Sequence, residues 1–301
     1  MVPSTNAGSS YRKVWRFIVR SARLAMLIMA GAADLAAQSP AGFPNDPGYG
    51  FPPTPVVNPI AQEFLGKNWA LDRQVKDPAL RGNCGSIGIQ GGCETPVDRL
   101  EPLMNGRMRA WIQVFHSGGQ YDEVMSPKWT CVAAGIQTGL QEAYLFQFTA
   151  NPDALLQKWE QSNWTRKIWM DGRPHPPLIE AFYHGHSIGR VVSPTQIVVH
   201  TSNFTFDTDG FDDHSHLPTS HLKQLIERYT MVDKDTMTIE FTIVDPVFLK
   251  APFTWKKQYK RTDQQLVDRW DCDPAATYPE MYQTEKPRYG DDTEWLKYNP
   301  K

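Results

Sequence analysis

HLKQLIERYTMVDKDTMTIEFTIVD, His221–Asp245, decides the fold. Two runs rich in β-branched and aromatic residues, QLIERYTMV and TMTIEFTIV, flank the turn signal Asp233-Lys234-Asp235. That arrangement reads as a β-hairpin. Within LIERY, Glu227 and Arg228 point to opposite faces of a strand. If the strand belongs to a barrel, whichever of the two points inward needs a partner, because an unpaired buried charge is costly. Asp245, ahead of a proline, reads as the end of the second strand.

Working outward, the same texture recurs. EAYLFQF places Tyr144, Phe146 and Phe148 on one face by alternation. ALLQKW and TRKIWM follow as short apolar-rich segments, and HSIGRVV and QIVVHTSNF flank the turn Ser193-Pro194-Thr195. FTWKKQYKR alternates again through Phe253, Trp255 and Tyr259. Seven or eight short strands with hairpin-length connections predict a mainly β protein. The expected fold is an antiparallel meander closing into a lipocalin-like barrel, with a β-sandwich as the competitor. Ahead of it, AQEFLGKNWALDRQ spaces apolar residues for a helix within 61–80, and Leu100 to Phe115 do the same for a helix over 96–115. Neither βαβ alternation nor a phosphate-loop glycine pattern appears, which argues against a nucleotide-binding α/β fold and against a nicotinamide or flavin cofactor.

The ends read differently. Arg12 to Arg23 supply five basic residues, followed by the apolar run LAMLIMAGAA at 24–33, the pattern of an export signal over 1–37. The run falls well short of the ~20 residues of a membrane span. Cleavage after Ala37 would remove five positive charges and Asp34, moving the formal charge from −2 to −6. So acidic a chain has no broad attraction for nucleic acid. The expected location is the periplasm or the medium, with no stable membrane insertion after cleavage. Residues 38–60 carry seven prolines and read as an arm. A partly helical leader is expected over 61–130, the barrel core over 131–272 and a tail over 273–301. In an exported chain, Cys84, Cys93, Cys131 and Cys272 favour disulfides. Cys84–Cys93, across a Gly-rich spacer, and Cys131–Cys272 are the expected pairs.

The chemistry concentrates in MDGRPHPPLIEAFYHGHSIGR, Met170–Arg190. His175, His184 and His186 can move protons near neutral pH. Arg173 and Arg190 can hold a developing anion, Tyr183 adds a hydroxyl, and Asp171 can orient a histidine. On a strand, His184 and His186 would share one face with Arg190. A rim loop of backbone-bonded histidines is the plainer alternative. The pairs His184-x-His186 and His214-x-His216, with His200 between them, also allow a metal site. Against it, FDTDGFDDHSHLPTS reads as a solvent loop. That stretch could attract calcium but lacks EF-hand spacing.

IWMDGRPHP, GHSIGR, QIVVHT, LIERYT and TIEFTIVDP, with the late cysteine of WDC, resemble a large, mostly uncharacterised family of exported bacterial proteins. The resemblance covers about residues 140–272. It departs at Val191-Val192-Ser193-Pro194, where the family shows an acidic turn. Asp171, Arg173, His175, Gly185, His186 and Arg190 fall on the shared motifs, and His184 lies just outside them. Some members are linked to side-chain removal from lignin-derived aryl dimers of the phenylcoumaran type. The resemblance therefore implies a cofactor-independent lyase acting on a small aromatic molecule. Ten tryptophans, enough to line a cavity, suit such a substrate. A non-catalytic binding protein and a metal-dependent hydrolase or oxygenase are the alternatives, and a homodimer is compatible with each.

Overall fold

The hairpin over 224–244 is the widest seam of a closed barrel. The computed structural model describes residues 63–77, 80, 100–117, 127, 131–141, 144–160, 164–212 and 217–267. β9 (Gln224–Asp233) and β10 (Thr236–Val244) pair antiparallel, with a register irregularity between Thr236 and Met237 beside the turn. Leu225, Tyr229 and Met231 on one strand face Ile243, Ile239 and Met237 on the other, all buried. Alternation thus delivers the apolar set to one face.

Nine strands close the barrel. β1 (Asn68–Leu71) joins β2 (Phe146–Ala150), followed by β3 (Ala154–Trp159) and β4 (Trp164–Trp169). β5 (His186–Ser193) and β6 (Gln196–Ser202) lead to β9, β10 and β11 (Phe253–Thr262), which returns to β1. The lipocalin-like barrel expectation holds, with two departures from a simple meander. β4 and β5 run parallel, because the chain crosses over between them through residues 170–185. After β6 the chain leaves to form a separate two-stranded sheet, β7 (Asp207–Asp212) and β8 (Leu217–Thr219), before β9 pairs with β6.

The segment expected to be helical within 61–80 instead supplies the closing strand β1. Asn68 pairs with Gln147 on one side and Thr262 on the other. Trp69 is fully buried. Apolar spacing that fits three or four residues per turn over so short a run also fits a four-residue strand, and the open edges of β2 and β11 decide the outcome. The second expected helix is shorter than its pattern: α1 spans Gly106–Trp111 and passes into a π-helical turn, Ile112–Ser117. Asn105 caps α1 by accepting from the Arg107 and Met108 amides, 2.9 and 3.2 Å. α2 (Ile136–Gln141) is tied to the barrel where the Tyr259 hydroxyl donates to the Leu140 carbonyl, 2.6 Å.

Contacts between non-adjacent strands identify the interior. Phe148 on β2 meets Tyr229 on β9 edge to face, with centroids 5.4 Å apart. Trp69, Trp159 and Trp255 also lie in this core. At its centre Arg166 of β4 satisfies all five of its N–H groups. It donates to Ser187 (2.8 Å), Gln157 (3.2 Å), Thr201 (2.8 Å) and both oxygens of Glu227 (3.0 and 2.5 Å). The Tyr229 hydroxyl donates to the same carboxylate, 2.6 Å. Glu227 is therefore the inward residue of LIERY, and its partner is Arg166. Arg228 points outward to Gln196 and Glu240.

Among the described residues, no helix is long and apolar enough to cross a membrane. The expected signal, proline-rich arm and C-terminal tail, together with Cys84, Cys93, Cys272, His214 and His216, lie outside the described residues.

Candidate functional site

The crossover segment 170–185 divides the residues singled out in the sequence into two groups. Its geometry is set at Gly185, whose φ of +66° and whose Cβ position, 2.7 Å from the Ser202 carbonyl, admit no larger residue without strain. The chain turns there, so His184 and His186 do not share a face. His186 begins β5 and projects, with Arg190 four residues on, from the side opposite the buried Ser187 and Gly189. That side is the outside of the barrel. His184 precedes the strand and packs inward.

The outer group gathers Asp171, Arg173, His175 and His186. Arg173 is gripped by the Asp171 carboxylate, with Nε 3.0 Å from each oxygen and Nη2 2.5 Å from Oδ2. Its guanidinium lies 3.2 Å over the Trp169 ring, a combination that fixes the cation's position. The mutual contact holds the Asp171 carboxyl below its usual range. His175 reaches two imidazoles at once: its Nδ1 stands 3.0 Å from Nδ1 of His186, and its Nε2 stands 2.9 Å from Nδ1 of His200. His200 in turn contacts Oε1 of Gln224, 3.2 Å. Burial, then His200 and His186, pushes His175 down to about 3. Burial and then Arg173 lower His186, while Asp171 opposes them. Both shifts favour the neutral forms of the His175 and His186 rings.

A single metal cannot take all three rings in this arrangement, because His175 presents opposite nitrogens to its two neighbours. Among the described residues no group of three or more His, Cys, Asp or Glu side chains is placed to hold a metal ion. The His184-x-His186 pair is likewise split by the turn at Gly185.

The segment is pinned from below. Asn203, at φ +60°, directs its side-chain amide to the carbonyls of Pro176, Pro177 and Glu180, each 3.0 Å away. Beyond this anchor the segment exposes Leu178, Ile179 (92%) and Phe182.

The inner group contains Tyr183 and His184. His184 stacks on Trp164 with ring centroids 3.6 Å apart, and its Nε2 donates to the Ala134 carbonyl, 3.0 Å. Burial is the largest influence and takes it down to about 4. The Tyr183 hydroxyl bonds to Asp207, and burial, then that carboxylate, pushes the phenol upward. Asp207 is itself raised by burial. Nearby, Lys223 is buried, lies 4.1 Å over the Phe204 ring and reaches the Gly210 carbonyl at 3.4 Å. Burial brings its amine down to about 8. The stretch read as a solvent loop therefore holds buried acids at Asp207 and Asp209.

The sequence reading missed the placement of His200 beside His175, and it missed Gln224, Asn203 and Lys223. Strand alternation already puts His200 and Gln224 on the outer face with His186. Only the crossover, which carries His175 over them, completes the group. No family model, no curated protein and no solved structure matches this chain.

Proposed function

We propose that the chain is a cofactor-independent acid–base lyase acting on a small apolar aromatic molecule, a phenylcoumaran-type lignin dimer. The observation that carries this reading is the chain of imidazoles ending at His186, set beside the fixed Arg173 cation. A neutral ring that can accept a proton, next to a permanent positive charge, suits removal of a proton from a phenolic hydroxyl. The exposed Leu178, Ile179 and Phe182 offer apolar surface for the rings of the substrate.

The proposed sequence balances without an oxidant. His186 takes the phenolic proton, and the oxygen's electrons open the benzylic C–O bond, leaving a quinone methide and a phenolate that Arg173 stabilises. The side-chain hydroxymethyl O–H then gives its proton to that phenolate, its C–C bond breaks, formaldehyde departs, and His186 returns its proton to the phenolic oxygen of the first ring. The electrons of that bond rearomatise the ring and leave the stilbene double bond. Asp171 and His175 hold Arg173 and His186 in place.

The test is incubation of the purified protein with a phenylcoumaran-type dimer and with its phenol-methylated analogue. Stilbene absorbance and an equal yield of formaldehyde are expected from the free phenol alone. Absence of product from the free phenol, or equal product from the methylated dimer, sinks the proposal. A non-catalytic lipocalin-like binding protein is the second reading, favoured by the barrel itself, and it expects saturable binding with no product.

A further inference from the structure

Lys223 is a buried cation that the proposed reaction does not use. It is 2% exposed, and among the described residues its Nζ meets the Gly210 carbonyl at 3.4 Å and the Phe204 ring at 4.1 Å. An ammonium carries three N–H donors, so one long bond and a ring face leave much of that capacity unused. Burial is the largest influence on the amine and takes it down to about 8, against the opposing charges of Asp207 and Asp245. Asp245 is committed elsewhere: it accepts from the Ser220 amide and hydroxyl, 2.7 and 2.8 Å, and from the Val247 amide, 3.0 Å. Asp207, which accepts from the Tyr183 hydroxyl and from the Asp209 amide at 3.0 Å, is the acid left to act with the amine. Gly210 adds a third group. A Cβ there would stand 2.9 Å from Cβ of Asp207 and would run into Oγ1 of Thr219, so the missing side chain lets both close in. Thr219 is 1% exposed, and its hydroxyl finds no hydrogen-bond partner among the described residues. Buried hydroxyls are rarely left unpaired. An unpaired donor and an under-bonded amine, both against Gly210, mark a place for a small polar guest.

We infer that Lys223 is a covalent amine site that condenses with a small aldehyde, with Thr219 and Asp207 serving the oxygen that leaves. A buried lysine in an apolar cradle is the kind of amine that acts as a nucleophile toward carbonyl compounds. The neutral amine adds to the carbonyl carbon, and one of its protons passes to the carbonyl oxygen, to which the Thr219 hydroxyl donates. Burial raises Asp207, which suits a proton donor. The carbinolamine hydroxyl takes the Asp207 proton and leaves as water, while the nitrogen lone pair closes the C=N bond. The product is an iminium with the Asp207 carboxylate as its counter-charge. Near-complete burial of the amine restricts the guest to a small molecule.

The site belongs to the inner group, apart from His186 and Arg173, so its test is independent of stilbene formation. The full chain is incubated at neutral pH with an equimolar amount of 13C-formaldehyde and with cyanoborohydride, which reduces the iminium to a stable methylamine. The methylated lysines are then mapped by mass spectrometry. Lys223 is expected to take several-fold more label than Lys234, although the Lys234 side chain is 85% exposed. A lysine that serves only as an internal strut would be among the last to react. Thr219→Val removes the donor to the carbonyl oxygen and keeps the shape of the side chain. It is expected to lower labelling of Lys223 several-fold, with the labelling of Lys234 and the far-ultraviolet circular dichroism unchanged. Asp207→Asn is expected to do the same, and if it does not fold, Thr219→Val carries the test alone. Label on the exposed lysines with none on Lys223 overturns the inference. So does label on Lys223 that is indifferent to Thr219→Val, because the amine would then react without a built site.

Discussion

Nδ1 of His175 stands 3.0 Å from Nδ1 of His186, joining the crossover segment to the first residue of β5. The contact brings together residues eleven positions apart in sequence, and it makes the crossover both a structural latch and a part of the site. The consequences of that joint can be measured separately from those of the barrel that supports it.

Acid should loosen the latch. The folded-state value of His175 is depressed to about 3 from an ordinary 6.5, so the unfolded chain binds its proton first. The contribution of this ring is fully present above about pH 6.5 and is lost as pH falls toward 3. His184, depressed to about 4, acts with the same sign. Urea midpoints of the wild type should decline between pH 7 and pH 4, and His175→Gln should show a shallower decline. Parallel slopes for the two proteins would remove the latch from the acid response.

The Asn203 side chain should hold the crossover without holding the barrel. Asn203→Gly keeps the backbone's freedom at φ +60° and removes the amide that reaches three carbonyls. A loss of about 1–3 kcal/mol is expected from the carbonyls left without it. Hydrogen exchange should quicken across 176–185 and stay slow in β9 and β10. Uniformly faster exchange would contradict a local role.

The Arg166–Glu227 pair should behave as a matched buried unit. Glu227→Ala strands a buried cation that donates to both oxygens of that carboxylate, and a destabilisation of about 3–5 kcal/mol is expected. Arg166→Met combined with Glu227→Leu should recover much of that loss, because both charges then leave the core together. Thermal or denaturant unfolding of the three variants checks the order.

Some of this was legible in the letters, and the reason differs from residue to residue. The β9–β10 hairpin shows itself because one buried face enforces alternation over ten residues. LIERY announced that whichever of Glu227 and Arg228 faced inward needed a partner, yet nothing in TRKIWM marks Arg166 as the partner of Glu227. Arg166 and Lys167 stand side by side in a short strand, and both look like surface until the barrel turns Arg166 inward and leaves Lys167 exposed. β1 was hidden for the opposite reason, since its apolar spacing satisfies a helix as readily as a strand. Asp171, Arg173, His175 and His186 come together as the clustered motif suggested. His184 and His186 separate because the reading treated Gly185 as one more pleat, whereas its positive φ makes a turn. Parallel pairing of β4 and β5, which carries His175 over His200, depends on a crossover that strand periodicity does not encode.

The most direct measurement is the initial rate of stilbene formation by His186→Ala beside the wild type, with a phenylcoumaran-type dimer as substrate and folding verified by circular dichroism. Loss of a positioned general base is expected to lower kcat by about 10²–10⁴-fold. A folded His186→Ala that forms stilbene at the wild-type rate would contradict the account.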